Sequence, residues 1–479
     1  MSAPRRTAAL AGAAVALLSG CTSFAGTLTD PTPPAGSPVP SDADADADAD
    51  AGSCAERAEP DPDRPEIALD FRLADDLRTV TGTETVVFTP DLDVEELVFR
   101  LVPNAPELAA TGARLVVDAA RGDDVAGSGY EPLAAGEPGG AYVVALDEPL
   151  AAGESTEVEL DFTLTLGSAG FDRVGADEGV SWWASGFPLL AWEPGVGWAR
   201  DPFVEVPGET TTSPAADTTV RVSAPADLTV LMTGAQDAPT PADAEGRRTW
   251  TSIEQVARDV SVAAGRFTTT EGATPDGVRV TVGVLPEAEE TPDELLDATV
   301  EAIADLEDFL GPFPYGTLTV PLLPDYGGGI EYPSSILQAS PSREVLVHEV
   351  AHMWFYGMVG NSQFRDPWLD EAFATWAEAV VNASSAEDLE SARGIQGDVG
   401  GAMDEFRSQQ QYGAFVYGKG GAALLEAREA AGADAFDAAV RCYVENGAWS
   451  IATPDDVADA LADLPEALEV LEEAGALDG

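Results

Sequence analysis

The sequence predicts a multidomain α+β protein, with an N-terminal β-sandwich-like domain followed by a mainly helical domain. Three observations predict it. The 479 residues suffice for two or three domains, and 45% of them are apolar, enough to bury sizeable cores. Up to about residue 267, short runs rich in β-branched and aromatic residues are separated by Gly, Pro and Asp, the punctuation of sheets. Beyond about residue 268, longer amphipathic stretches take over, which reads as helix.

The chain begins with a targeting pattern over residues 1–20. Arg5 and Arg6 form a positive start, and an apolar stretch runs from Ala8 to Leu18. It is too short and too rich in alanine for a good membrane-spanning helix. Leu18-Ser19-Gly20-Cys21 resembles a bacterial lipobox, in which the signal is removed and the cysteine carries lipid. The expectation is a lipoprotein signal peptide, lipidation at Cys21, and an anchor on the outer face of the bacterial cell membrane. An ordinary secretory signal with a chance cysteine is the alternative. Residues 21–65 form a Pro/Asp/Ala-rich tether with an Asp-Ala repeat from Ser41 to Ala51. That composition buries no core and is expected to be disordered. It lacks the glycine turn and closing glutamate of an EF-hand loop.

Residues 66–267 read as the β domain. Its clearest strands are Glu84–Phe88, Leu97–Val102, Ala141–Leu146, Glu157–Leu166, Thr218–Ser223 and Asp259–Phe267. Trp182, Trp183, Trp192 and Trp198 surround a Gly-Phe-Pro turn and are expected in a core or a domain interface. Residues 268–479 read as the second domain. A strand at Val278–Val284 leads to a helix at Thr291–Leu310, a Gly-Pro-Phe-Pro turn and a strand near Leu318–Leu323. Helices are expected at Arg343–Val359, Pro367–Asn382, Ala402–Gln409, Ala414–Ala431, Asp434–Glu445 and Pro454–Ala462. Cys54 and Cys442 could pair in an oxidising compartment, and two free thiols are equally consistent with the sequence.

The formal charge of −61 excludes nucleic acid as a partner, since a phosphate backbone needs a basic surface. It equally excludes electrostatic docking on anionic lipid. A solvated acidic surface is the plain reading of the charge, and a field that attracts cationic peptides is the sharper one.

The chemistry lies in His348-Glu349-Val350-Ala351-His352. Four positions apart on a helix, both imidazoles share a face and can reach one ion, and Glu349 stands beside them as a base. Ser342 suits the N-cap and Glu344 the first turn. The chain has only two histidines, and both stand here at metal-ligand spacing. A third ligand follows at Glu371, in a helix expected to be capped by Asp366 and opened by Pro367. Two imidazoles and one carboxylate leave a tetrahedral ion one open position, the pattern of a catalytic zinc site.

These residues resemble the M1 aminopeptidases, a branch of the thermolysin-like gluzincins. The family spacing of HExxH, eighteen residues and Glu is matched by His348, Glu349, His352 and Glu371. Its W-L-x-E-G/A-F-A context is matched by Trp368 to Ala374. The resemblance covers most of Gly311–Gly421 and implies a thermolysin-like catalytic domain holding one zinc ion per chain. It implies catalysis by Glu349, peptide substrates and removal of N-terminal residues. The family's G-x-M-E-N element resembles Gly328-Gly329-Ile330-Glu331-Tyr332, with Ile for Met and Tyr for Asn. This makes Glu331 the expected anchor for the substrate's free amine, with Gly328 and Gly329 admitting its backbone. The Y-E-K-G element resembles Tyr417-Gly418-Lys419-Gly420, which makes Tyr417 the expected oxyanion donor. Lys419 is the only lysine in the chain. Tyr412 matches a family tyrosine near the substrate. Glu193 is a candidate for a second amine contact. Larger relatives add a C-terminal helical domain that this form is expected to lack, which would leave the site more open. Two alternatives stand beside the aminopeptidase: a zinc endopeptidase, and a catalytically silent peptide-binding lipoprotein.

Overall fold

Alternation builds the N-terminal part. In the strand Glu66–Leu73, Ile67, Leu69, Phe71 and Leu73 are buried while most of the residues between them reach solvent, as a pleat with one covered face requires. The computed structural model describes residue 54 and residues 56–477, apart from residue 169 and residues 207–211. The targeting segment, Cys21 and the Asp-Ala repeat lie outside the described residues. The described residues belong to one unit, Gly52–Gly479.

Glu66–Leu73 sits in the middle of a seven-stranded sheet, parallel to Ala216–Pro225 and antiparallel to Thr79–Phe88. A four-stranded sheet containing Val94–Arg100 and Ala141–Leu150 contributes Leu97, Phe99 and Val144 to the same core as Leu69, Val86 and Phe162. A second four-stranded sheet contains Val180–Ala184 and Ser261–Gly265. Trp182 and Ala263 from it pack with Tyr332, Leu337 and Ala339 of the later region. The tryptophan cluster is therefore core and interface. Trp192 and Trp198 meet edge to face at 4.7 Å.

From Thr268 a new five-stranded sheet begins, in the order Thr268–Ala273, Arg279–Val284, Thr317–Leu322, Ser335–Ala339, Gly328–Tyr332. Gly328–Tyr332 is its edge strand, paired on one side only, with Ser335–Ala339. Helices cover the sheet. Pro292–Leu310 starts at a capping box in which Thr291 and Glu294 bond each other's backbone N–H. Arg343–Ala351 and Trp368–Val381 pack against one another behind the edge strand. The whole is α+β, with a sheet-rich N-terminal part and a helix-rich C-terminal region.

Three local expectations are corrected. The motif helix ends at Ala351, not Val359. Tyr356 has φ +87, and the N–H of Gly357 turns back to the carbonyl of His352, so the helix cannot continue. The buried Arg258 of the N-terminal part fastens this turn, donating to the carbonyls of Gly357, Ser213 and Ser450. A Cβ on Gly360 would lie 2.3 Å from that guanidinium. At the next helix, Pro367 occupies the cap position and Asp366 supplies no side-chain cap. The expected helix Ala402–Gln409 is a single 3₁₀ turn at Met403–Glu405.

Cys54 and Cys442 form a disulfide. It fixes the start of the described chain to the helix Ala433–Asn446, where Arg57 also makes two 3.0 Å hydrogen bonds to Glu445.

Candidate active site

The motif helix starts cleanly because the Ser342 hydroxyl accepts from the N–H of Glu344 at 3.2 Å. From that start His348 and His352 fall on one face. The antiparallel return through Trp368–Val381 brings Glu371 opposite them. His348 Nε2 and His352 Nε2 each lie 3.3 Å from Glu371 Oε2, and 3.2 Å from each other. Ligands at about 2.0–2.1 Å from a tetrahedral zinc are separated by about 3.3–3.4 Å. The three donor atoms thus form a triangle of the size zinc requires, and the donor set suits it.

The outer atoms of both rings are also held. His348 Nδ1 lies 3.4 Å from Glu378 Oε2, and His352 Nδ1 lies 3.2 Å from the carbonyl of Phe355. Such contacts fix ring orientation and raise ligand basicity. Sequence reasoning missed both. Glu378 was findable, since it lies two helical turns after Glu371 on the same face. The carbonyl was not, because no side chain marks it. Burial pulls the His348 imidazole down, but Glu371 and Glu378 outweigh it and hold it up at about 10. Burial likewise opposes His352, and Glu371 brings it to about 9. Burial would raise Glu371, yet its bonds to the two imidazoles hold it well below the usual carboxylate range. A metal site needs that carboxylate ionised.

A cavity of about 280 Å³ opens over this triangle. The motif helix forms one wall and the edge strand Gly328–Tyr332 the other. Glu349 is buried, and one of its oxygens lies within 4.8 Å of ligand atoms of both His352 and Glu331. Gly329 has a stringent reason to be glycine: a Cβ there would stand 2.5–2.7 Å from the Glu349 side chain. Gly328, its neighbour, also lines the cavity. Glu331 is 3% exposed and faces the same space. Tyr332 turns away from it, is fully buried, and accepts a hydrogen bond from Arg173 at 2.8 Å.

Tyr417 lines the cavity from Gly413–Gly420, a π-helical segment of the kind often found at functional sites. Its hydroxyl donates to Glu371 Oε1, and its ring stacks on His348 at 5.9 Å. Tyr412 does not belong to the substrate surface. It is fully buried and packs edge-on against Tyr417 at 5.6 Å, so it supports that ring from behind. Glu193 is a second correction. Both its oxygens are taken by Arg365, at 2.5 and 2.6 Å, and it does not line the cavity. Lys419 donates to the carbonyls of Gly397 and Ala474, the latter ending a helix, so the chain's only lysine is structural.

Residues 330–473 match the profile of the Peptidase family M1 domain. The chain is similar to Aminopeptidase M1-A of Oryza sativa subsp. japonica, 25% identical over 42% of this chain and 27% of that one. Endoplasmic reticulum aminopeptidase 1 of Homo sapiens is also 25% identical, over 41% of this chain and 25% of its own length. For aminopeptidase N of Lactobacillus helveticus the identity is 26%, over 42% and 28% respectively. The chain thus spans about a quarter of the length of these relatives. Among solved structures it is similar to an M1 zinc metallopeptidase from Deinococcus radiodurans. The TM-score is 0.65 at 20% identity, over 86% of this chain and 92% of that one. A mutant of that enzyme bound to a Tyr-Ser-Ala substrate is similar to the same degree, with TM-score 0.65 and 19% identity, over 86% and 94%. At these identities the two structures speak for the fold.

Proposed function

We propose that this chain, which carries a peptidase family M1 domain, is a zinc metallo-aminopeptidase that removes N-terminal residues from peptides. One observation carries the reading. The triangle of His348, His352 and Glu371 has zinc dimensions, with Glu349 and Glu331 together beside it.

Zinc held there supplies the Lewis acidity that makes a peptide carbonyl electrophilic. The chain's own groups do the rest. Glu349 takes a proton from the attacking water and passes it to the leaving amine. Glu331 pairs with the substrate's free ammonium and so fixes which bond meets the metal. Gly328 and Gly329 leave the edge strand open to the substrate backbone, which can add to it as a further strand. Tyr417 donates to the oxyanion as it forms, and Tyr412 holds the Tyr417 ring in place. Residues 66–267 serve as a β-sandwich-like domain beneath a thermolysin-like catalytic domain at 268–479.

The same reading makes the protein an extracytoplasmic lipoprotein, anchored through Cys21 on the outer face of the cell membrane. The Cys54–Cys442 disulfide supports an oxidising compartment. Cys21→Ser should abolish incorporation of labelled fatty acid and release the protein from membranes; retention of label would refute the anchor.

The activity is tested with a peptide bearing a free N-terminus and its acetylated twin, with and without a zinc chelator. Chelator-sensitive cleavage of the free peptide alone is expected. Equal cleavage of both would make the protein an endopeptidase, and cleavage of neither would make it a binding scaffold.

A further inference from the structure

Five carboxylates line the cavity: Glu331, Glu344, Glu349, Glu371 and Glu378. Four have work in the reading above, which this inference rests on. Glu344 does not. We propose that Glu344 is a specificity-determining residue that selects peptides with a cationic side chain directly after the scissile bond.

The first argument is position. Glu344 lies one helical turn before His348, on the face that carries both imidazoles. At 1.5 Å per residue it stands about 6 Å along the axis from His348 and about 12 Å from His352. Glu331 lies at the other end, against Glu349 and His352. The two outer carboxylates therefore flank the metal triangle. A peptide whose ammonium sits on Glu331 and whose first carbonyl meets the metal must run its second residue toward Glu344. The reach of a lysine or arginine side chain covers the remaining gap.

The second argument is that Glu344 is held in place and left charged. Its Oε1 accepts from the Ser384 hydroxyl at 2.8 Å, and its Oε2 from the Ser342 hydroxyl at 3.0 Å. These two bonds, Ser384 first, keep its carboxyl below the ordinary range. The cation next to it in sequence is committed elsewhere, since Arg343 bonds Asp305 and Asn382. Among the described residues no ion pair involves Glu344. An ionised, oriented, exposed carboxylate on a cavity wall, with hydroxyls but no cation, presents a recognition surface for a positive group.

The test compares Ala-Lys-Ala with Ala-norleucine-Ala, which differ only by the ammonium group, using the zinc-loaded full chain. The unmodified protein should favour the lysine peptide in kcat/KM by about fivefold at low ionic strength, less in salt. Glu344→Gln should bring the ratio near one. Glu344→Lys should reverse it, favouring a glutamate at that position over glutamine. Because Glu344→Gln removes one charge from a chain of net −61, a preference that survives it belongs to the overall field and overturns the inference. A ratio near one in the unmodified protein overturns it too, while leaving the aminopeptidase reading intact. Failure to cleave either peptide overturns both.

Discussion

Glu84 and Glu371 are buried carboxyl groups, one in each half of the molecule, and their surroundings shift them in opposite directions. Glu84 lies in the strand Thr79–Phe88, on the face it shares with Val80, Val86 and Phe88. It has no hydrogen-bond partner among the described residues, and burial raises its pKa well above the usual range. Glu371 is nearly as buried, but two imidazoles and a tyrosine hydroxyl meet it. The comparison shows that depth alone does not set the charge of a buried acid. A sheet core offers apolar side chains and a fully paired backbone, so burial favours the protonated acid. Two facing helices can offer converging polar side chains, so the ionised form is favoured, as a metal ligand requires.

The comparison is sharpest at Glu349, a third buried carboxyl, whose proposed work is to take up and release a proton. Glu349→Gln keeps shape and hydrogen bonding but removes that capacity. Turnover should fall by about a thousandfold, while zinc content by elemental analysis stays at one per chain. Unchanged turnover would break the assignment.

The next largest effect is expected at Glu84. Its pKa is higher folded than unfolded, so the folded state binds the extra proton once pH exceeds the unfolded value near 4.3. The stability of the native protein should then decline as pH rises, until the folded pKa is passed. Glu84→Gln removes that decline. The two proteins should match near pH 4, and the variant's advantage should grow as pH rises from there toward the folded pKa. Unfolding midpoints measured across pH decide it; a difference that does not change with pH would mean that burial leaves the Glu84 carboxyl unshifted.

The smallest effect is expected at Glu378, which is paired yet stands behind the metal site. Glu378→Gln should weaken zinc binding by about tenfold, read by competition with a chromophoric chelator. An unchanged affinity would show that ring orientation is set by packing alone.

The sequence carried the centre of the site further than its surroundings. His348, His352 and Glu349 were legible because a helix repeats every 3.6 residues whatever packs against it. Glu371 was legible from its own helix and from the motif around it. The edge strand Gly328–Tyr332 was readable as a glycine-rich substrate wall. Its partner Ser335–Ala339 was missed, because all five residues are buried and show no alternation. Tyr412 and Glu193 were misplaced for a different reason. Proximity along the chain or to a motif says nothing about which way a side chain turns, and Phe406, Tyr417 and Arg365 had already claimed them.

By itself the sequence picked out the candidate donor set, the candidate base and the helices that carry them. Those features follow from covalent geometry and local spacing, which act within a few residues. Tertiary structure alone decided that Cys54 meets Cys442 across 388 positions, that Arg258 locks the turn after the motif helix, and that Glu378 backs His348. Each of these joins groups through packing of whole elements. The free energy of that packing is spread over the cores, and no short stretch of sequence records it.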